Sequence, residues 1–137
     1  MNEISNKELI EKAKSVINTK KVANNMIAGD VGCALVTDKG NVYVGVCIDL
    51  VCGLGFCAES AAIANMITNG EYRIKKIVAY GHDTIMYPCG KCRELIHQVH
   101  KDNLETEIIV KNEKVLKLKD LLPFNWEESW CKDNCKK

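Results

Sequence analysis

The stretches Phe56-Cys57-Ala58-Glu59 and Pro88-Cys89-Gly90-Lys91-Cys92-Arg93 carry the most informative side chains of this sequence. Together they supply three thiols and one nearby carboxylate, which belong to Cys57, Cys89, Cys92 and Glu59. A catalytic zinc ion takes three ligands from the protein and leaves the fourth tetrahedral position for water. The pattern therefore predicts a hydrolytic zinc centre, with one Zn²⁺ per subunit held by the three cysteines.

Both stretches also predict the start of a helix. After Ala58 the chain is apolar almost all round as far as Ile67, which is typical of a helix buried against a sheet, and Gly70 is a suitable C-terminal cap. A second helix is predicted over residues 90–101. A helix N-terminus presents free N–H groups and a partial positive charge. We therefore expect the two helix starts to offset the excess negative charge of three thiolates around one zinc ion.

The other elements predict layers around these two helices. A capping box at Ser5-Asn6-Lys7-Glu8 and apolar residues at helical spacing predict a helix over residues 6–18, whereas residues 20–30 predict an irregular connection. Short apolar segments predict the strands, which are residues 31–37, 41–48, 76–80, 108–110 and 115–118. The order of elements predicts the α/β class, as a three-layer α/β/α sandwich with a mixed five-stranded sheet.

Composition narrows the functional classes. The chain has 137 residues, which predicts a single domain over residues 1–137, with residues 127–137 as a loosely ordered tail. The net charge of +1 disfavours nucleic acid as a partner and favours a small molecule. The sequence shows neither a signal-peptide pattern nor an apolar stretch long enough to span a membrane. We therefore expect a cytoplasmic location and no membrane association. Eight cysteines in a reducing compartment then favour metal binding over disulfides.

The two cysteine stretches resemble the C-A-E and P-C-G-x-C-R motifs of the small cytidine deaminase and blasticidin S deaminase family. Residues 31–36 resemble the first hairpin strand of that family, and residues 121–123 resemble the segment that introduces its C-terminal tail. The resemblance covers roughly residues 5–126. It implies a cytidine deaminase-like fold, a homotetramer with active sites near subunit interfaces, and hydrolysis of an amino-pyrimidine to its oxo form with release of ammonia.

The resemblance also assigns roles to individual residues. Glu59 would be catalytic and move protons between water, the pyrimidine ring and the leaving amine, while the Ala58 backbone N–H would bind the pyrimidine carbonyl. Other candidate substrate-binding residues are Asp49 and Cys47, at the place of the family's N-x-E motif, and the tail aromatics Phe124 and Trp126. The Arg that follows C-A-E in many cytidine deaminases is Ser60 here. Arg93 and Lys91 are therefore the expected thiolate-shielding cations.

Several functions remain open at this point. The favoured function is deamination of free cytidine or deoxycytidine to uridine or deoxyuridine, and the alternative within the family is a cytosine-containing antibiotic such as blasticidin S. From another class, Cys52 could complete a Cys₄ site with the three other cysteines and make a structural or binding module without activity. Cys89 and Cys92 alone could form a redox dithiol. A nucleic-acid editor is disfavoured by the near-neutral charge.

Overall fold

The computed structural model describes residues 3–130. Its helices are α1 (Asn6–Ser15), α2 (Ala58–Thr68), α3 (Gly90–Gln98), α4 (Leu118–Leu121) and α5 (Trp126–Trp130). Its strands are β1 (Lys20–Ala23), β2 (Met26–Thr37), β3 (Val42–Asp49), β4 (Ile74–Gly81), β5 (Thr84–Met86), β6 (Glu107–Ile109) and β7 (Val115–Lys117). Among these residues, no helix has the length and apolar character needed to cross a membrane.

Strand β2 is the centre of the sheet. One of its edges pairs antiparallel with β3, and the other edge pairs first with β1 and then, further along, with β4. Strand β4 pairs antiparallel with β5 and parallel with β6, and β7 follows antiparallel to β6. The sheet is therefore mixed. Helix α2 lies between β3 and β4 in the chain, and α3 lies between β5 and β6.

The alternation of side chains along β2 produces the three layers. Cys33 and Leu35 point to the core shared with α2 and α3, whereas Ala34 and Val36 point to the core shared with α1. All four side chains are at most 5% exposed. Because successive side chains of a strand point to opposite faces, one apolar strand stabilises helices on both sides of the sheet. The predicted α/β/α sandwich is confirmed.

The sheet has seven strands rather than the predicted five. The extra strands are β1, in the predicted irregular connection, and β5, in the predicted loop before Cys89. Every side chain of β1 is exposed and β5 buries only Ile85, so neither strand has the apolar pattern by which a sequence indicates a strand. Their backbone hydrogen bonds to β2 and β4 define them instead.

The ends of the helices follow local signals. The Ser5 side chain accepts a hydrogen bond from the Glu8 N–H at 3.1 Å, and α1 ends at Ser15, three residues before its predicted end. Gly70, with φ of +80°, follows the end of α2 as predicted. The tail expected over residues 127–137 begins inside α5, while residues 131–137, with Cys131 and Cys135, lie outside the described residues.

Candidate active site

The three cysteine sulfurs of the motif lie together at the ends of two helices. Cys57 is the N-cap of α2, Cys89 is the N-cap of α3, and Cys92 lies in the first turn of α3. Their sulfur atoms are all within 4.8 Å of one another, and those of Cys57 and Cys89 are 3.7 Å apart. Tetrahedral zinc with Zn–S bonds of about 2.3 Å needs sulfurs roughly 3.8 Å apart. The donor set therefore fits a zinc ion.

The surroundings shift the pKa of the three thiols in different directions. Burial raises the pKa of Cys57, and the neighbouring Cys89 raises it further. Burial, and then the charge of Glu59, raises the pKa of Cys92 well above its usual range. Burial acts against the thiolate of Cys89 too, but the N–H groups of Cys92 and Lys91 and the neighbouring thiols lower its pKa overall. Metal binding at this site must therefore displace protons, as is usual for cysteine ligands.

Glu59 lies beside the sulfurs in the first turn of α2. Its side chain is 6% exposed and faces the same cavity as Cys57 and Cys89. Burial raises its pKa, and the N–H of Glu59 itself and the Cys92 side chain oppose that rise in part. A carboxyl group with a raised pKa can both accept and donate a proton near neutral pH. It can therefore act as a general base and a general acid.

Close packing of α2 on β3 positions Cys57 and Glu59. Gly45 of β3 lies against the helix, where an added Cβ would come within 2.4 Å of the Ala62 nitrogen and 2.6 Å of the Ala61 Cβ. Ahead of the helix, Ile48 and Phe56 exchange two backbone hydrogen bonds of 3.0 Å. These bonds close the loop of residues 49–55 and set the point at which the chain enters α2.

A cavity of about 610 Å³ opens beside the cysteines, within the usual range for small-molecule sites. Six of the residues predicted to bind metal or substrate, or to be catalytic, line it: Cys47, Asp49, Cys57, Ala58, Glu59 and Cys89. Asp30, Met86, Tyr87 and the exposed His82 also line the cavity, and none of them was among the predicted site residues.

Asp30, Cys47 and Asp49 form a second cluster in this cavity, with polar atoms within 4.8 Å of one another. The Cys47 sulfur accepts a hydrogen bond from the Val31 N–H at 3.3 Å and donates to Asp30 Oδ1 at 3.5 Å. Burial, and then the neighbouring carboxylates, raise the pKa of Cys47, so the thiol remains a donor. Burial, and then the hydrogen-bonded Asp30 carboxylate, raise the pKa of Asp49.

The expected thiolate-shielding residues make other contacts. Arg93 donates from Nε to the Pro88 carbonyl at 2.8 Å and from Nη1 to the Leu121 carbonyl at 3.1 Å, and within residues 3–130 it donates to no sulfur. It therefore joins the loop before Cys89 to the end of α4. The Lys91 side chain is exposed, and Lys91 acts on Cys89 through its backbone N–H. In this structure the donors that stabilise the Cys89 thiolate are therefore backbone N–H groups in the first turn of α3 and the neighbouring thiols.

The tail aromatics and Cys52 lie apart from the cavity. Phe124 and Trp126 are 87% and 56% exposed and do not line the cavity of their own chain. The Trp126 N–H donates to Glu94 Oε1 at 2.7 Å, and the ring stacks on Trp130, so the tail runs along α3 instead of over the pocket. Cys52 is exposed and, in the described part of the chain, does not join the group of three sulfurs.

Comparisons with known protein sequences agree with the family resemblance of the two cysteine motifs. The model of the family described as the cytidine and deoxycytidylate deaminase zinc-binding region matches residues 4–106. Cytidine deaminase of Mycobacterium tuberculosis is 32% identical over 95 residues, which cover 68% of this chain and 69% of that protein. Blasticidin-S deaminase of Bacillus cereus is 32% identical over 108 residues, which cover 70% of this chain and 76% of that protein.

Solved structures resemble the fold as a whole. The crystal structure of cytidine deaminase from Mycobacterium tuberculosis matches with a TM-score of 0.75 and 26% identity, over 90% of this chain and 98% of that chain. The crystal structure of cytidine deaminase from Burkholderia pseudomallei matches with a TM-score of 0.71 and 28% identity, over 90% of this chain and 100% of that chain. The similarity therefore extends beyond the motif to the arrangement of helices and strands around it.

Proposed function

The chain belongs to the cytidine and deoxycytidylate deaminase family of zinc-dependent hydrolytic deaminases, and we propose that it converts free cytidine or deoxycytidine to uridine or deoxyuridine. Water replaces the amino group on the pyrimidine ring, and ammonia leaves. The observation that carries the proposal is the placement of the Cys57 and Cys89 sulfurs and the buried Glu59 carboxyl on one cavity of suitable size. A small-molecule substrate agrees with the balanced charge of the chain.

Four residues supply the chemistry, three of them on the cavity wall and Cys92 buried next to them. Cys57, Cys89 and Cys92 would hold one Zn²⁺ per subunit, which when bound lowers the pKa of water and so provides hydroxide at neutral pH. Glu59 takes the proton of the attacking water and delivers protons to the ring nitrogen and to the leaving amine. Because Glu59 is buried, little solvent competes for those protons.

The start of α2 and the end of β3 bind the rest of the substrate. The Ala58 N–H lies in the first turn of α2, where backbone donors have no partner within the helix, and it donates to the pyrimidine carbonyl. Asp49, at the end of β3, accepts from a sugar hydroxyl. Cys47 is 6% exposed and its thiol already bonds Asp30, so its contribution is to hold the neighbouring carboxylate in place.

A cytosine-containing antibiotic such as blasticidin S is the second candidate substrate. Two observations favour it, namely the similarity to Blasticidin-S deaminase of Bacillus cereus and the Cys47-Ile48-Asp49 sequence in place of N-x-E. A Cys₄ structural module is less favoured, because in the described residues the Cys52 sulfur stays outside the group formed by the other three.

We further propose that the chain is a single domain that assembles as a homotetramer. Phe124, Trp126 and Trp130 support this assembly, because large aromatic side chains that are 56–87% exposed are enriched at interfaces between subunits. Light scattering coupled to gel filtration tests it: a mass of four subunits is expected, and a monomer at micromolar concentration would contradict it.

Ammonia release tests the reaction itself. Zinc-loaded protein is assayed with cytidine, deoxycytidine, cytosine and blasticidin S, with the Glu59→Ala variant as control. Release from cytidine or deoxycytidine that needs Glu59 is the expected result. Release from blasticidin S alone would move the assignment to the antibiotic, and no release from any of the four by zinc-loaded protein would overturn the proposed reaction.

A further inference from the structure

An exposed tyrosine lies between β5 and α3, at the wall of the cavity. Tyr87 follows Met86, the last residue of β5, and precedes Pro88 and Cys89. It is 51% exposed and lines the cavity together with Met86 and Cys89. The hydrophobic core of the chain therefore does not bury this ring, which stays accessible at the site of substrate binding.

The backbone on both sides of Tyr87 is held in place. Met86 pairs with Ala79 of β4. The Pro88 carbonyl accepts a hydrogen bond from Arg93 Nε at 2.8 Å. A residue before proline is restricted to extended backbone, and a tyrosine side chain has only two χ angles. The ring is therefore preorganised, and it would lose little conformational freedom when a ligand binds.

A second aromatic residue lines the cavity from the other helix start. Phe56 directly precedes Cys57, and its backbone is held by two hydrogen bonds to Ile48. The Cys57 and Cys89 sulfurs are 3.7 Å apart. Phe56 and Tyr87 therefore approach the same centre from two segments of the chain. In the described part of the chain neither ring stacks on another aromatic ring, so the faces of both rings are free of such contacts.

The chemistry of the reaction decides which part of the substrate lies here. The amino group that water replaces must lie beside Glu59 and the cysteines, so the pyrimidine ring occupies the part of the cavity next to Cys57 and Cys89. Flat aromatic rings attract each other in offset-stacked geometry. Stacking on an aromatic side chain also binds nucleic-acid bases of every type, because each base has a flat π-face.

We propose that Tyr87 is a specificity-determining residue whose ring stacks on the pyrimidine ring of the substrate. The ring carries this contact and the hydroxyl does not, because stacking requires a flat face. Cytidine, deoxycytidine and blasticidin S share the cytosine ring, so the same contact is expected with each of them. The inference rests on the proposed deaminase function of the same cavity.

Steady-state kinetics of three variants test the contact. Tyr87→Phe keeps the ring, and Tyr87→Leu keeps an apolar side chain but removes the flat face. Tyr72→Leu is the matched control, since Tyr72 is 48% exposed and does not line the cavity. KM and kcat are measured on zinc-loaded protein with the substrate that the wild type deaminates, together with zinc content, oligomeric mass and thermal unfolding.

Tyr87→Leu should raise KM by about 5- to 150-fold, the range that loss of one base–aromatic stack produces. Its kcat should change much less, because stacking acts on the bound substrate and the transition state alike. Tyr87→Phe and Tyr72→Leu should resemble the wild type. An unchanged KM in Tyr87→Leu would overturn the inference, and so would an equal rise in Tyr87→Phe. A changed oligomeric mass with unchanged KM would assign Tyr87 to a subunit interface instead.

A spectroscopic measurement depends neither on turnover nor on the folding of Tyr87→Leu. Zinc-loaded Glu59→Gln protein is labelled with 3-fluorotyrosine, and the fluorine resonance of Tyr87, one of four tyrosines, is assigned by its loss in Tyr87→Phe. Saturating cytidine and cytosine should shift this resonance and leave that of Tyr72 in place, whereas ribose should shift neither. A Tyr87 resonance that cytidine does not shift would overturn the inference.

Ammonia release and the fluorine shift together separate the inference from the proposed function. Release by the wild type without a shift would leave the proposed function in place and overturn the stacking role of Tyr87. A shift without release would support the stacking role and overturn the proposed reaction. The absence of both would overturn both.

Discussion

The Cys57 and Cys89 sulfurs lie 3.7 Å apart, although 32 residues separate them in the chain. Each cysteine is the N-cap of a helix, and the two helices lie on the same face of the sheet. The site therefore exists only when β3, β4 and both helices are in place. Local motifs and the whole fold are therefore coupled at this site.

Replacement of Cys89 by Ser should weaken zinc binding by more than about 100-fold. Loss of a residue that only hydrogen-bonds a ligand already lowers metal affinity by about 10- to 100-fold, and loss of the ligand itself should lower it at least as much. Metal analysis after dialysis against a chelator measures the zinc that remains bound. Cys52→Ser is the matched control, since Cys52 is exposed and outside the group of sulfurs. Equal loss of zinc from both variants would show that Cys52 is a fourth ligand.

Replacement of Glu59 by Gln should lower kcat by about 10²- to 10⁴-fold while zinc content stays the same, because the amide cannot accept and return a proton. Steady-state deamination with parallel metal analysis measures both quantities. Glu11→Gln, on the exposed side of α1, is the control and should retain activity. A fully active Glu59→Gln enzyme would exclude the carboxyl as the proton carrier.

Replacement of Arg93 by Ala should lower the free energy of unfolding by about 1–3 kcal/mol, since the Pro88 and Leu121 carbonyls lose a charged donor. Urea unfolding of metal-free and zinc-loaded protein distinguishes the structural role from thiolate shielding. The contacts in this structure predict a similar loss in both forms. A loss confined to the zinc-loaded form would restore the shielding role.

Replacement of Gly45 by Ala should cost on the order of 1–3 kcal/mol and reduce zinc affinity, because the new Cβ would push α2 and thus Cys57 away from β3. Thermal unfolding and metal titration test this. Gly90→Ala is a control for stability alone, since a Cβ there meets nothing within 4 Å. A Gly45→Ala protein as stable as the wild type would show that α2 does not need this close approach.

Replacement of Glu71 by Gln should lower the free energy of unfolding at pH 7 by about 1–3 kcal/mol. The Glu71 carboxylate accepts hydrogen bonds from Thr37 at 2.6 Å, Asn41 at 2.9 Å and Tyr43, and so joins the β2–β3 turn to the segment after α2. Burial acts against the charge, but these hydrogen bonds outweigh it and lower the pKa of Glu71.

The same network predicts a pH dependence. Because the pKa of Glu71 is lower in the folded state than its ordinary value of 4.5, its contribution to stability is present above that value and is lost as pH falls through the folded value. The difference in unfolding free energy between wild type and Glu71→Gln should therefore shrink between pH 5 and pH 3, roughly the range below the ordinary pKa. Urea titrations at each pH measure it, and a constant difference would contradict the network.

Much of the fold could be predicted from the sequence. The apolar run after Ala58 and the apolar strand of residues 31–37 are local patterns. The strand is buried on both faces, and the helix buries Ala62, Ile63 and Met66, although Ile67 is 39% exposed. The edge strand β1 could not be predicted, because its four side chains are exposed and its identity depends on backbone pairing with β2. A pattern of apolar side chains indicates which residues are buried. It therefore reveals a paired β-strand only where that strand also buries side chains.

The candidate site divides in the same way. The types and spacing of Cys57, Glu59, Cys89 and Cys92 predicted that these residues belong to one site. Metal ligation and proton transfer require particular side chains, and the sequence shows those side chains within two predicted helix starts. The position of Asp30 required the tertiary structure, since a bulge opposite Cys47 turns it into the cavity.

The sequence by itself determined the chemistry that this protein can perform and the layers of its fold, because both depend on residue type and short-range periodicity. Only the tertiary structure decided which carboxylates line the cavity, that Arg93 binds backbone carbonyls instead of thiolates, and that Trp126 lies against α3. These features depend on strand register and on contacts between residues far apart in the chain, and no local pattern of side chains encodes them.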